Sequence, residues 1–244
     1  MAWPSVAVVI PTYNEAGNIE NIIRSILEVF DSNKINGYVV IVDDGSPDGT
    51  AEIAKRLAEH DVRIHVINRG RKMGLGSAYR EGFTFVIKNL NVDAIGVMDA
   101  DGSHEPSLIP SLLSEIKTGK DVAIASRYIK GGRWSVGLYR KIVSRGANII
   151  ARIATGINAR DLTSGYRVYR VSTLSMTRMD DVEQGYVFQV QMLYKLKQVG
   201  ASFAEVPLIF RERRAGRSKL SLGEYWRFLK WCLKILARRL VGKD

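Results

Sequence analysis

Five short apolar runs punctuate the first half of the chain: VAVVIP at residues 6–11, YVVIVDDGS at 38–46, VRIHVIN at 62–68, AIGVMDAD at 94–101 and DVAIAS at 121–126. They are rich in β-branched residues and nearly continuous in apolar character, the pattern of strands covered on both faces. Between them, residues 18–30, 50–59, 75–88 and 107–117 repeat their apolar positions at helical period. Strands alternating with helices predict an α/β fold on a mostly parallel sheet flanked by helices. In such sheets ligands bind beyond the carboxyl ends of the strands. That edge collects Pro11, Thr12, Tyr13, Asn14 and Glu15, then Asp43 and Asp44, then Asn68 and Arg69, then Asp99, Ala100 and Asp101.

The second half is less regular. Residues 138–157 read as an amphipathic basic helix, residues 184–199 as a further helix, and ASFAEVPLIF at 201–210 as strand material whose proline favours an edge or a bulge. In SLGEYWRFLKWCLKILARRLVGKD, Arg227, Lys230, Lys234 and Arg238 are spaced 3, 4 and 4, one helical stripe. Tyr225, Trp226, Phe228, Leu229, Trp231, Leu233, Ile235, Leu236 and Leu240 surround that stripe. This apolar face is too broad for a surface helix and is interrupted by charge, which fits a helix lying in a membrane interface. A helix packed on the body or on a partner subunit is the alternative. The ~20-residue apolar run that a membrane span needs does not occur.

Composition narrows the picture. At 244 residues with 46% hydrophobic content, the chain can bury a core as one α/β domain or two small ones. A single cysteine, Cys232, excludes an internal disulfide and fits a reducing compartment. The start, MAWPSVAVVIPTYNEAGN, runs directly into the first strand without a charged region ahead of an apolar core, so it is read as having no signal peptide. The net charge is +11, of which residues 211–244 carry +8 and the rest +3. A basic tail suits an anionic membrane surface, a phosphate ligand or nucleic acid. Nucleic acid is disfavoured, because these cations accompany a broad apolar helix face rather than a stacking platform.

Two carboxylates at one strand end need a counter-charge. Asp99 and Asp101 are one residue apart, and like charges that close repel unless something positive lies between them. A hard divalent cation such as Mg²⁺, bound through one or two carboxylates plus substrate phosphates, supplies it. The D-x-D pattern alone is also a common turn former. Asp43-Asp44 and Glu15 at neighbouring strand ends raise its meaning, and a metal with a nucleotide diphosphate explains all three. Other chemistries lack their motifs. The chain has no G-x-x-x-x-G-K-[ST] and no G-x-S-x-G, and GLGSAY at 74–79 lacks the third glycine of a dinucleotide fingerprint. His60, His65 and His104 are scattered; His65 reads as a strand residue, and His104 adjoins the D-x-D.

The segments VVIPTYNEAGNI, VIVDDGSPDGT, GLGSAYREGF, VMDADGSHEP, ASRYIKGG, YRKIVSRGAN, DLTSGYRVYR, QGYVFQVQM and GRSKL follow one another in this order. Together the chain resembles the dolichol-phosphate mannosyltransferases (polyprenyl-phosphate mannose synthases), inverting GT-A glycosyltransferases of family 2. PTYNE, DDGS and DAD mark the broad family; SRY, RKIVSRGAN, QGYVFQ and SK mark the polyprenyl-phosphate branch. The resemblance implies a Rossmann-like GT-A fold and transfer of mannose from GDP-mannose to dolichyl or polyprenyl phosphate, with Mg²⁺ or Mn²⁺ as cofactor. It implies that Pro11, Tyr13, Glu15, Val42 and Asp44 bind the nucleotide, and that Asp99, Ala100 and Asp101 hold the metal and diphosphate. Ser103 falls where some relatives place a glutamine on the metal, so that ligand is weaker here or replaced by water. Arg213 and Lys219 would close over the donor phosphates, and Arg127, Arg140 and Ser144 would grip the acceptor phosphate.

The resemblance divides the chain into a catalytic domain, residues 1–212, and a closing loop with a basic interfacial helix, residues 213–244. It places the protein at the cytoplasmic face of a membrane, compatible with a small membrane-anchoring subunit. The alternatives are a polyprenyl-phosphate glycosyltransferase using a UDP-sugar and a non-enzymatic basic protein binding membrane or RNA.

Overall fold

The computed structural model describes residues 2–134, 137–179, 182, 185, 187–210 and 222–241. The strands are β1 (Val6–Thr12), β2 (Gly37–Asp43), β3 (Ile64–Asn68), β4 (Ala94–Val97), β5 (Val122–Ser126), β6 (Arg133–Trp134), β7 (Arg167–Arg170), β8 (Phe203–Pro207) and β9 (Ile209–Phe210). The helices are α1 (Ile19–Asn33), α2 (Thr50–Ala58), α3 (Leu75–Asn89), α4 (Ile109–Lys117), α5 (Leu138–Thr155), α6 (Val171–Ser175), α7 (Val187–Gln198) and α8 (Leu222–Leu240). Among the described residues, seven strands form one sheet in the order β3-β2-β1-β4-β7-β5-β8. Every pairing in it is parallel except those of β7, which runs antiparallel between β4 and β5.

The continuous apolar runs follow from burial on both faces. Ala7 and Val9 of β1 enter a cluster with Tyr79, Phe83 and Val86 of α3, whereas Val6, Val8 and Ile10 enter another with Ile19, Ile23 and Ile26 of α1. Alternate residues serve opposite cores, so no polar position is left between them. Pro11 is tolerated inside β1 for a geometric reason. Val9 O accepts from Met98 N on the β4 side. Alternation turns Pro11 to that same side, beyond Val9↔Val97, the last β1–β4 pair, so its missing N–H breaks no ladder bond. Helix α3 lies close on this strand: a Cβ at Gly82 would stand 2.4 Å from Val9 Cγ1.

The expected strands and helices of the first half are present with shifted ends: β2 closes at Asp43 rather than at 46, and β3 opens at Ile64 rather than at 62. Strand β4 closes at Val97 rather than at 101, and Asp99 and Asp101 stand on the turn beyond it. Pro207 ends β8, an edge strand, as its missing donor requires. The sequence pattern did not indicate β7 or β6, whereas β9 falls within the strand material read at 201–210.

The C-terminal helix has two roles. Trp231, Cys232 and Ile235 of α8 are buried in the core cluster shared with α5 and α7. Arg239 donates to the α5 carbonyls Ile153 O (2.8 Å) and Ala154 O (3.1 Å), a cation at the negative end of that helix. Tyr225, Trp226, Leu233 and Leu240 face outward, next to exposed Arg227, Lys230, Lys234 and Arg238. On α5, Leu138, Tyr139, Ile142, Ile149 and Ile153 are also exposed. Among the described residues, no helix is long and apolar enough to cross a membrane.

Candidate active site

The chain order reverses at β1, whose neighbours are β2 on one side and β4 on the other. A crevice at that point is where open α/β sheets bind ligands. The loop leaving β1 forms one wall. Asn14 adopts φ 59° there, and the next loop clamps it. Asn14 N–H donates to Ser46 Oγ (2.9 Å), Glu15 N–H to Thr50 Oγ1 (2.9 Å) and Ala16 N–H to Asp48 Oδ2 (3.0 Å). Burial tends to raise the Asp48 carboxyl, but the hydrogen bonds from Thr50 and Ala16 outweigh it and hold the group below its ordinary value. Glu15 Oε2 accepts from Asn18 Nδ2 (3.0 Å), at the start of α1. Lys72 Nζ sits 4.2 Å from the centroid of the Tyr13 ring.

The two aspartates after β2 divide their work. Asp43 is fully buried and accepts from Thr12 Oγ1 (2.8 Å), Ser46 N (2.8 Å) and Ser46 Oγ (2.6 Å), joining β1 to the following loop. Asp44 pairs with Arg69 and accepts from Met73 N (3.2 Å) and Gly74 N (2.8 Å). Arg69 also donates to Ser77 Oγ (2.6 Å), and its Nε lies 3.0 Å from Glu81 Oε2 without hydrogen-bond direction. Asp44 therefore fastens the entry to α3, and Arg69, which the sequence placed on this edge without a partner, is its buried counter-charge. Val42 and Ala100 bury their side chains in the core, so their main chains are what they can offer a ligand.

Beyond β4, the turn is built around Asp101. Its Oδ1 accepts from Ser103 N (3.0 Å) and Ser103 Oγ (2.6 Å), and Gly102 takes φ 78° to let the chain turn back. Ser103 is wholly buried and its hydroxyl hydrogen is committed to that carboxylate. Asp99 N–H donates to His104 Nδ1 (3.0 Å). An Nδ1 that accepts carries no proton, so the imidazole is neutral and the 4.0 Å approach of Asp99 Oδ2 is not an ion pair. His104 stacks on Tyr166 at 5.0 Å, which fixes the ring under the turn. Among the described residues, no three His, Cys, Asp or Glu converge as a closed metal cage. Two carboxylates on one turn match a hard divalent cation that draws its remaining ligands from water and phosphate. A separate cleft of about 600 Å³ between α1 and this turn is bordered by Gly102 and His104, but Asp99 and Asp101 do not line it.

The basic residues stand on the loop beyond β5 and on α5. Arg127 follows β5 and forms a fork with Asp161: Nε to Oδ2 (2.7 Å) and Nη2 to Oδ1 (2.7 Å), with Nη2 also 2.9 Å from Thr163 Oγ1. Trp134 covers the guanidinium at 4.6 Å. Burial opposes charge on both partners, but their mutual attraction prevails, holding Arg127 above and Asp161 below its ordinary value. The pair is neutral as a unit. Ser144 on α5 accepts from Tyr128 OH (2.8 Å). Arg140 is exposed one helical turn before it. The structure thus brings Arg127 and Ser144 to one region, with Asp161, Thr163 and Asn148 as partners that spacing did not single out. Arg213 and Lys219 lie outside the described residues.

The comparisons with known proteins agree with this architecture. The model of the family described as Glycosyl transferase family 2 matches residues 7–176. An undecaprenyl-phosphate mannosyltransferase of Micrococcus luteus is 39% identical over 222 residues, 89% of this chain and 88% of that protein. A polyprenol monophosphomannose synthase of Mycolicibacterium smegmatis is 39% identical over 217 residues, covering 88% of this chain and 80% of that protein. Among solved structures, glucosyl-3-phosphoglycerate synthase from Mycobacterium tuberculosis, in complex with Mn²⁺, UDP and glucosyl-3-phosphoglycerate, superposes with a TM-score of 0.68 at 21% identity over 97% of this chain and 80% of that one. Mannosyl-3-phosphoglycerate synthase from Rubrobacter xylanophilus gives 0.69 at 22% over 98% and 75%. At those identities the solved structures establish the GT-A fold. With the family model covering most of the sheet and two relatives matching nearly the full chain, the chain belongs to glycosyltransferase family 2.

Proposed function

We propose that the protein transfers mannose from GDP-mannose to a polyprenyl phosphate, with inversion at the anomeric carbon, at the surface of a membrane. The observation that carries this reading is the likeness, over most of the chain, to two polyprenyl-phosphate mannose enzymes, joined to paired carboxylates on the turn beyond β4 and to Arg127 beyond β5 and Arg140 on α5. The nucleotide lies along Pro11, Tyr13, Glu15 and the main chain at Val42, with Asp44 and Arg69 shaping the pocket floor. Asp99 and Asp101 would hold Mg²⁺ or Mn²⁺, with Ser103, whose N–H and hydroxyl donate to the Asp101 carboxylate, a weaker ligand or replaced by water. When bound, the metal offsets the charge that develops on the departing diphosphate.

An acceptor phosphate is ionised at neutral pH, so the reaction needs no strong general base. The chain must instead bring two anions together. Arg140, Arg127 and Ser144 orient the acceptor oxygen, and Arg213 and Lys219 supply positive charge for the donor phosphates. Correct alignment of the two supplies much of the acceleration. The exposed apolar and basic faces of α5 and α8 rest on anionic lipid at the cytoplasmic leaflet, at headgroup depth where the acceptor phosphate lies. A small anchoring subunit is compatible with this arrangement.

Asp101→Ala tests the enzyme reading against passive binding by a basic protein. Transfer should fall at least ~1,000-fold, since the cation that stabilises the leaving group loses a charged ligand. Binding to anionic vesicles should stay as in the wild type. Transfer that survives Asp101→Ala contradicts the reading.

A further inference from the structure

A closed hydrogen-bond network joins α5 to Arg127 through residues that the reaction itself does not use. At its centre is the Thr163 hydroxyl. It accepts from Arg127 Nη2 (2.9 Å) and from Asn148 Nδ2 (3.0 Å), and it donates to Asp161 Oδ1 (3.2 Å). Both acceptor positions and the single donor are spent, so the hydroxyl has one orientation. Asn148 is nearly fully buried on the inner face of α5. Its Nδ2 also donates to Ser144 O (2.9 Å), and its Oδ1 accepts from Leu162 N (2.7 Å). A backbone N–H can only donate, which fixes which way the amide points. The turn itself is held from below: Glu205 on β8 accepts from Arg160 N (2.8 Å) and Asp161 N (3.0 Å).

The consequence is positional. Arg127 comes from the loop after β5, whereas Arg140 and Ser144 come from α5, an element with a largely exposed outer face. Contact between Tyr128 OH and Ser144 Oγ ties the two, as does Arg145 of α5 over the Tyr128 ring at 5.9 Å; Asn148 and Thr163 add a tie to the Arg127 guanidinium itself. We infer that Asn148 and Thr163 are positioning residues that hold α5 against Arg127 and so set the spacing of the groups that receive the acceptor phosphate, an inference that rests on the function proposed above. The hydrogen bonds of Thr163 and Asn148 given above all go to α5, to Arg127 or to the 161–163 turn, whereas Asp44 stands beyond β2 and Asp99 and Asp101 beyond β4.

Steady-state kinetics of the full chain test this with Thr163→Val, which keeps the shape and removes the hydroxyl, and with Asn148→Ala. Acceptor KM should rise roughly tenfold in each, and GDP-mannose KM should stay within about twofold of the wild type, because the lost bonds orient acceptor-side groups alone. Thr163→Ser, which restores the hydroxyl, should return acceptor KM towards the wild-type value. Should Asn148→Ala not fold, the isosteric Thr163→Val and its serine rescue decide the matter. An acceptor KM unchanged in Thr163→Val, or donor and acceptor KM rising in parallel, overturns the positioning role. A wild-type protein that transfers no mannose to polyprenyl phosphate overturns the underlying reading and this inference with it; an active wild type with an unmoved variant overturns the positioning role alone.

Discussion

Arg127 shows how a residue can be recognisable in the sequence while its partner is not. Its place in ASRY marks it as basic and functional, yet its fork with Asp161 makes the pair neutral and rigid. Asp161→Asn leaves the buried guanidinium without its counter-charge, and unfolding free energy should drop by about 3–5 kcal/mol. Replacing both partners, Arg127→Met with Asp161→Leu, should recover most of that loss while leaving transfer impaired. Equal destabilisation in the single and double variants, measured by denaturant titration, would show that the two groups are not one unit. The sign of the pH dependence follows from Asp161. Its folded value is depressed, so the stability it contributes is complete above the unfolded carboxyl value of about 3.9 and is lost as pH falls through the folded one. The double variant should therefore lose less stability than the wild type on acidification below about pH 4; identical acid profiles would contradict this.

At the scale of elements, legibility tracked burial. Strands β1, β2, β4 and β5 were visible because both faces are apolar, and α1 to α4 because each has one apolar stripe. Strand β7 was hidden by its sequence, RVYR, with arginine at both ends. Arg167 is fully buried there, and its charge is carried by two main-chain acceptors, Gln189 O (2.6 Å) and Leu162 O (2.7 Å), that no local pattern announces. The excessive apolar breadth of α8 has a physical explanation in two faces: Trp231, Cys232 and Ile235 turn inward, while Trp226 at 71% exposure and Leu233 at 57% turn outward. Combined Trp226→Glu and Leu233→Glu should weaken partition onto anionic vesicles at least ~tenfold, since each apolar side chain is worth about 1.5–3 kcal/mol when buried. Thermal stability should stay nearly constant, because both positions are solvent-exposed. Unchanged partition would remove α8 from the membrane-facing surface.

For the molecule as a whole, the proposed donor and acceptor groups of residues differ in how far sequence could reach. The donor set is local: a D-x-D at a strand end, an acidic pair at the next and a glutamate at a third are read directly once a parallel sheet is inferred. The acceptor set is assembled over long range. Asp161 meets Arg127 across 34 residues, and Glu205 meets Asp161 across 44. Neither separation has a period that a linear pattern could reveal, so those partners emerge only when β7 is seen between β4 and β5. Under the function proposed above, this division separates the residues proposed for the metal and diphosphate from those proposed for the acceptor phosphate. The most direct measurement is product formation from labelled GDP-mannose and a short-chain polyprenyl phosphate with Mg²⁺. The account predicts a lipid-soluble β-mannosyl phosphate and release of GDP in equal amount. GDP-mannose left unconsumed, or a UDP-sugar consumed in its place with the same acceptor, would contradict it.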